Sequence, residues 1–447
     1  MSDSALSVVE FLLTARVYSD DQRFDENDLP SSYRKVFWEG GSIDRPLSVT
    51  EKGAREATGV DEPWAAVSDL MFTQREEFSG SISLNQPEMA TEWFATRTDE
   101  ERLAHNPTLA AYFEDGEFDV EADYEAAREN VRPIQADRMW IDNLLETYFD
   151  ADDEEEAEML DLVDIRAPEE IETTLDDLVL TTNQESEINK IVKAIEHREY
   201  LAQIGLREIG KLLFVGPPGT GKTTTSRALA HDLDLPFVEV KLSMITSQYL
   251  GETAKNVDKV FEVAKRLSPC ILFIDEFDFV AKTRRSDEHA AIKRAVNTLL
   301  KSIDEVSLIQ DDVLLIGATN HPDQLDAAAW RRFDEIVNFP KPDHRMRADI
   351  FSVITREMEI SGYDPEEIAE RTDGLTGSDL RMVLREAVLE ALTENRRTLT
   401  QRDLLDAIDD FEERNTLKDL DMIEGDHEAL VAGGTGGDHG HDHDHDH

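Results

Sequence analysis

The segment Lys211-Leu-Leu-Phe-Val-Gly216-Pro217-Pro218-Gly219-Thr220-Gly221-Lys222-Thr223-Thr224 constrains this chain more than any other. An apolar run stops at a glycine, further glycines follow at 219 and 221, and a helix-forming sequence begins at once. Glycine lets the backbone adopt left-handed conformations and lets N–H groups come close to a ligand. A helix opening directly behind such a loop presents unpaired N–H groups and the positive end of its dipole, which together make a cradle for phosphate. In that arrangement Lys222 reaches the β and γ phosphates of a nucleotide, and the Thr223 hydroxyl binds Mg²⁺. The apolar run must then be a buried strand, because a rigid sheet has to hold the loop.

Downstream runs extend that sheet. Phe237–Ser243, Cys270–Asp278, Asp312–Asn320 and Glu335–Pro340 are apolar stretches bounded by turn residues and separated by helical periodicity. This alternation predicts an α/β fold, a parallel sheet covered by helices on both faces. A carboxylate at the carboxyl end of such a strand faces the ligand crevice. Ile271-Leu-Phe-Ile ends in Asp275-Glu276, so Asp275 is expected to hold Mg²⁺ and Glu276 to polarise an attacking water, with Asp278 structural. Asn320, at the end of the next run, either orients that water or serves as a turn residue. Arg331 and Arg332 follow the short helical stretch after Leu325, and in isolation they read equally as salt-bridge partners.

Residues 1–149 contain Trp38, Trp64, Trp93 and Trp140, four of the five tryptophans. They are expected to form a mainly α substrate or partner domain, with a winged-helix module as the alternative. Residues 150–170 begin Asp-Ala-Asp-Asp-Glu-Glu-Glu-Ala-Glu and predict a solvated acidic linker. Residues 171–342 carry the α/β pattern, and 343–413 are helical throughout. There Asp364-Pro-Glu-Glu marks a helix start, and Leu380, Val383, Leu384, Val388 and Leu392 are expected to share a face. Residues 414–447 predict a disordered acidic tail ending in alternating His and Asp, which would bind Ni²⁺, Zn²⁺ or Cu²⁺ weakly or, alternatively, sense metal.

Composition narrows the function. The chain has 98 Asp+Glu against 46 Lys+Arg, a net charge of −52. A field of that sign repels nucleic acid and anionic membranes. The single cysteine, Cys270, excludes an internal disulfide framework. No apolar run is long enough to span a bilayer, and the N-terminus lacks a basic secretory region, so a cytoplasmic protein is expected. Lysine is scarce beside arginine, and the composition resembles that of proteins from salt-in halophilic archaea; an acidic mesophilic protein is the alternative.

The phosphate loop, Ile274-Asp-Glu-Phe-Asp278, Gly317-Ala-Thr-Asn320, Arg331-Arg-Phe-Asp334 and Gly374-Leu-Thr-Gly-Ser-Asp-Leu380 together resemble the AAA-type (AAA+) ATPases, in that family's order. The resemblance covers about 171–413. It implies a P-loop NTPase sheet of five parallel strands in the order 5-1-4-3-2, an α-helical lid, ATP and Mg²⁺ as cofactors, and a ring, usually a hexamer. It makes Gly216 to Thr223 the Walker A loop, Asp275 and Glu276 the Walker B pair, and Asn320 the first sensor. Arg331 and Arg332 become fingers entering the next protomer's site. Gly377 and Ser378 match the lid position beside adenosine. Val179, within Asp177-Leu-Val-Leu, stands where many members carry Asp-Ile-Gly-Gly at the adenine. Tyr249, Leu250 and Gly251 resemble the first pore loop that grips substrate. Lys282, Arg284 and Arg285 fall near the second, where a merely solvated loop is equally consistent. The tail lacks the hydrophobic-Tyr-X ending by which some archaeal relatives dock on the proteasome, so direct docking of that kind is not expected. The expected function is therefore a Mg²⁺-ATP-dependent ring that remodels, unfolds or disassembles protein substrates, or alternatively a nucleotide-switched assembly ATPase that translocates nothing.

Overall fold

The computed structural model describes residues 3–39, 41–76, 79–116, 118–150, 153–206, 209–242, 253–278, 290–325 and 327–424. Its contacts form two units: Met1–Asp176 with Leu180–Gly216 and Lys222–Phe339, and Asp177–Val179 with Pro217–Gly221 and the chain from Pro340 onward.

The first unit opens on helix Asp3–Asp20, where Val8, Val9, Phe11, Leu12, Leu13 and Ala15 are all buried. A helix apolar on every side is a core element, and helices Glu51–Thr58, Pro63–Val67, Pro87–Ala95 and Pro107–Glu114 pack around it. Two short antiparallel ladders complete this region, β1 (Trp38–Glu39) with β2 (Ser42–Ile43) and β3 (Thr73–Arg75) with β4 (Ile82–Leu84). Helix Glu51–Thr58 is capped by Thr50, whose Oγ1 accepts the Gly53 N–H at 3.0 Å.

The stretch expected to be a solvated linker is ordered in its described part. Asp153 caps helix Glu154–Asp161, and β5 (Val163–Arg166) then pairs antiparallel with β7 (Phe237–Val240). The reason is amphipathicity hidden under the acid. Met159, Leu162 and Val163 are buried with Phe149, Val240, Val260 and Phe261. The carboxylates on the other side meet bases of helix Thr253–Arg266: Glu158 lies 3.2 Å from Lys259 Nζ and Glu156 3.2 Å from Arg266 Nη1.

Among the described residues the sheet accordingly has six strands instead of five. The remaining strands are β6 (Lys211–Val215), β8 (Cys270–Ile274), β9 (Val313–Thr319) and β10 (Glu335–Asn338), and the order is β10-β6-β9-β8-β7-β5. All pairs are parallel except β5–β7. Strands β6, β8 and β9 are buried at every position, as strands covered on both faces must be. Alternate residues sort into two cores: Leu212, Phe214, Ile271, Phe273, Leu314 and Ile316 lie in one. Leu213, Val215, Leu272, Ile274, Val313 and Leu315 lie in the other.

In the second unit, helices His344–Ile354, Pro365–Arg371, Gly377–Thr393 and Gln401–Glu424 enclose Phe351, Ile368, Leu380, Val383, Leu384, Leu404, Ile408 and Phe411. Strands β11 (Ile360–Ser361) and β12 (Leu399–Thr400) pair in parallel. Asp364 caps its helix as expected, accepting the Glu366 N–H at 3.1 Å. Leu392, placed on the apolar face by periodicity, is 51% exposed; Ala387 and Ala391 take the seam, since small side chains let the helices approach. The last helix runs to Glu424, past the boundary expected at 413.

Candidate active site

Strand β6 ends at Val215, and Gly216 follows at φ +154°. A Cβ there would lie 2.0 Å from the Phe339 carbonyl oxygen, so no other residue fits. Within the loop, Gly219 has φ +76° and Gly221 φ +98°. Thr220 Oγ1 donates to Pro217 O at 2.8 Å, closing the turn on itself. Helix Lys222–Asp232 starts immediately, with Thr223 and Thr224 half-buried in its first turn.

Lys222 is buried, and its ammonium donates to Gly216 O at 2.8 Å. Burial pushes its pKa below the usual lysine value, opposed by the nearby carboxylates of Asp275 and Asp278. Thr223 Oγ1 donates to Asp275 Oδ2 at 2.9 Å across the ends of the loop helix and β8. The other Asp275 oxygen accepts the Glu276 N–H at 2.8 Å. Glu276 itself sits at φ +47°, a left-handed kink, with its side chain exposed. The chain is tied back at once, because the Phe277 N–H donates to Ala318 O at 2.7 Å.

Asn320 closes β9, half-buried, one residue beyond Thr319, whose carbonyl accepts the Gly216 N–H at 3.2 Å. Thr319 Oγ1 donates to the buried carboxylate of Asp278 at 3.1 Å. Gly216, Lys222, Thr223, Asp275, Glu276 and Asn320 thus converge at the carboxyl ends of β6, β8 and β9. Thr319 was not singled out from sequence, although a lone hydroxyl closing a wholly apolar strand was the available signal.

In the second unit, Ser378 and Gly377 open helix Gly377–Thr393, which Thr376 caps. The Ser378 N–H donates to Gly219 O at 3.2 Å. A Cβ on Gly219 would stand 2.1 Å from Ser378 Oγ and 2.6 Å from Thr376 Oγ1, so this contact also demands glycine. Val179 is half-buried, and the neighbouring Asp177 pairs with Arg356 at 2.5 Å.

Arg331 and Arg332 follow the short helix Ala327–Trp330. Arg331 is exposed, and its Nε donates to Ala327 O at 3.0 Å. Arg332 is turned onto helix Ala290–Glu305, donating to Leu300 O at 2.9 Å and pairing with Asp304 at 2.9 Å. Tyr249, Leu250 and Gly251, the basic cluster Lys282, Arg284 and Arg285, and the His/Asp tail lie outside the described residues.

The arrangement fits ATP and Mg²⁺. The loop is shaped so that side chains are excluded where backbone N–H groups must approach phosphate. Thr223 and Asp275 offer a hydroxyl and a carboxylate oxygen side by side, the hard donors that Mg²⁺ takes.

Comparison with known proteins supports the nucleotide-binding reading. Residues 212–341 match the ATPase family associated with various cellular activities (AAA), and residues 362–406 match the AAA+ lid domain. An uncharacterized AAA family ATPase of Sinorhizobium fredii is 37% identical over 242 residues, covering 54% of this chain and 72% of that protein. The proteasome-activating nucleotidase of Pyrococcus horikoshii is 40% identical over 220 residues, 48% of this chain and 55% of the nucleotidase. The ATP-dependent zinc metalloprotease FtsH 1 of Thermomicrobium roseum is 37% identical over 242 residues, 53% of this chain and 37% of that enzyme. The matched region thus spans a little over half of the nucleotidase and a smaller part of the metalloprotease. The chain belongs to the AAA ATPases, and that membership makes it an ATP-hydrolysing enzyme.

Proposed function

We propose that this protein is a Mg²⁺-ATP-dependent ring motor, a hexamer, that unfolds or remodels protein substrates by drawing them through a central pore. Lys222 takes the β and γ phosphates, and Thr223 and Asp275 hold Mg²⁺, which when bound neutralises phosphate charge and orients the terminal phosphoryl group. Glu276 polarises the attacking water and Asn320 orients it. Thr224, Val179, Gly377 and Ser378 contact the nucleotide. The Arg331-Arg332 segment serves the neighbouring protomer's site through Arg331, whose positive charge stabilises the transferring phosphoryl group. Tyr249, Leu250 and Gly251 grip the substrate chain, and residues 1–149 recruit it. The acidic, lysine-poor composition suits a cytoplasm of molar salt.

The observation that carries this reading is Arg331. It is exposed and has no carboxylate partner among the described residues, in a chain with 98 acids to 46 bases. A cation left unpaired amid such an excess of acid is available to a second molecule. The relatives named as a proteasome-activating nucleotidase and an FtsH-type protease support a protein substrate.

Glu276→Gln tests the chemistry. It should bind ATP normally while turnover falls by about 100-fold or more, the usual scale for losing the group that activates water; undiminished hydrolysis would overturn the assignment. Tyr249→Ala separates the motor from a switched assembly ATPase. Substrate remodelling should stop while ATP hydrolysis continues, and remodelling that survives would sink threading.

A further inference from the structure

The segment Arg331-Arg-Phe-Asp334 assigns a separate task to each residue, and by the contacts among the described residues only Arg331 is left free to leave its own chain. The Asp334 carboxylate accepts the Lys211 N–H at 2.9 Å, and the Asp334 N–H donates to Lys211 O at 2.8 Å, so this residue is pinned to the start of β6. Phe333 is buried edge-on against Phe277, with ring centroids 5.2 Å apart and planes at 88°. Phe277 directly follows Glu276. Arg332 commits every guanidinium nitrogen: Nε to Leu300 O at 2.9 Å, Nη2 to Asp304 at 2.9 Å, and Nη1 to Ala328 O.

The Arg332 site is favourable on general grounds. Leu300 and Asp304 lie near the C-terminal end of helix Ala290–Glu305, where the dipole attracts a cation, and a planar fork satisfies carbonyl and carboxylate together. Side-chain exposure of Arg332 is 22%. Moving it to a neighbour's phosphate would break three contacts at once. Arg331 makes only the single bond from Nε to its own helix, and its two terminal nitrogens bond nothing among the described residues.

We infer that the adjacent arginines divide the work: Arg331 alone reaches the neighbouring protomer's triphosphate, and Arg332 is a positioning residue that clamps the finger segment to helix Ala290–Glu305 through Asp304. This rests on the ring reading above and deepens it. The clamp and the Phe333–Phe277 contact hold Arg331 at a fixed offset from its own Glu276, so each protomer's finger is registered to that protomer's own site.

The test uses the full-length oligomer and the variants Arg331→Ala, Arg332→Ala, Arg332→Lys, Asp304→Asn and the double variant Arg332→Ala/Asp304→Asn. Steady-state ATP hydrolysis is measured together with trapping of ADP–aluminium fluoride, which reports charge stabilisation at the reacting phosphoryl and not folding. Arg331→Ala should lose about 1,000-fold or more in kcat, the lower end of what arginine fingers supply, and should not trap the analogue. Arg332→Ala should lose about tenfold, still trap the analogue, and be no worse when combined with Asp304→Asn, as expected for partners in one contact. Asp304→Asn alone should resemble Arg332→Ala, and Arg332→Lys should fall between it and the parent. If Arg332→Ala abolishes trapping as fully as Arg331→Ala while Asp304→Asn behaves as the parent, Arg332 is a second finger and the division is wrong. If Arg331→Ala hydrolyses ATP and traps the analogue like the parent, the trans-finger reading itself fails.

Discussion

Glu276 illustrates how this site stores strain in a single residue. Its φ of +47° places a non-glycine side chain in the left-handed region, directly after Asp275, the proposed Mg²⁺ ligand. Such conformations cost of order 1–3 kcal/mol and persist only where the surroundings impose them. Here the imposing contacts are the Glu276 N–H on Asp275 Oδ1 and the Phe277 N–H on Ala318 O. Substituting glycine should therefore separate stability from activity. Glu276→Gly is expected to raise unfolding stability by about 1 kcal/mol while abolishing turnover, whereas Glu276→Gln should leave stability unchanged. Chemical denaturation of the two variants beside the parent measures this, and a destabilised glycine variant would show that the kink is not strained.

At the scale of elements, helix Glu154–Asp161 and β5 convert an acid-rich stretch into the edge of the sheet. The conversion depends on few side chains. Leu162 is 5% exposed and packs in the same core as β7 and β8. Leu162→Ala should cost about 2–5 kcal/mol, the range for truncating a buried leucine. Limited proteolysis should then cut near residues 153–170 faster than in the parent. Cutting that is equally fast in both would mean the edge strand contributes little. The same docking joins residues 1–149 to the nucleotide-binding core, since Arg132 contacts His231 and approaches Asp234 just beyond the loop helix, and Lys35 pairs with Glu169. Nearby, Arg34 and Asp137 form a fully buried ion pair at 2.8 Å. Burial pushes the Asp137 carboxyl up and the Arg34 guanidinium down, and their mutual attraction opposes both. The contacts of Arg132 and Lys35 tie residues 1–149 directly to the core.

For the whole molecule, a net charge of −52 dominates. Repulsion among surface carboxylates acts over about 10 Å at 0.1 M salt and about 3 Å at 1 M. The many ion pairs are mostly exposed, where each contributes about 0–1 kcal/mol and does not offset the excess. The unfolding temperature should accordingly rise as KCl is increased into the molar range, with ATPase activity following. Equal unfolding temperatures in dilute and multimolar KCl would rule out a salt-dependent fold.

The placement of the loop, of Asp275 and Glu276 and of Asn320 at one sheet edge was legible as sequence because each is a local device. A strand followed by glycines and a helix start needs only neighbouring residues to take its shape, and a carboxylate ending an apolar strand declares which sheet edge it faces. The alternation of strands and helices likewise determined the α/β class. Three features were decided by tertiary structure alone. Charge density at 150–161 hid the buried Met159 and Leu162, because solvation dominates an isolated acidic segment until Lys259 and Arg266 arrive from a helix a hundred residues away. The lid seam chose Ala387 and Ala391 over Leu392 because the distance between packed helices, not periodicity, selects side-chain size. The identical neighbours Arg331 and Arg332 diverged because only one of them meets a helix end and a carboxylate across space.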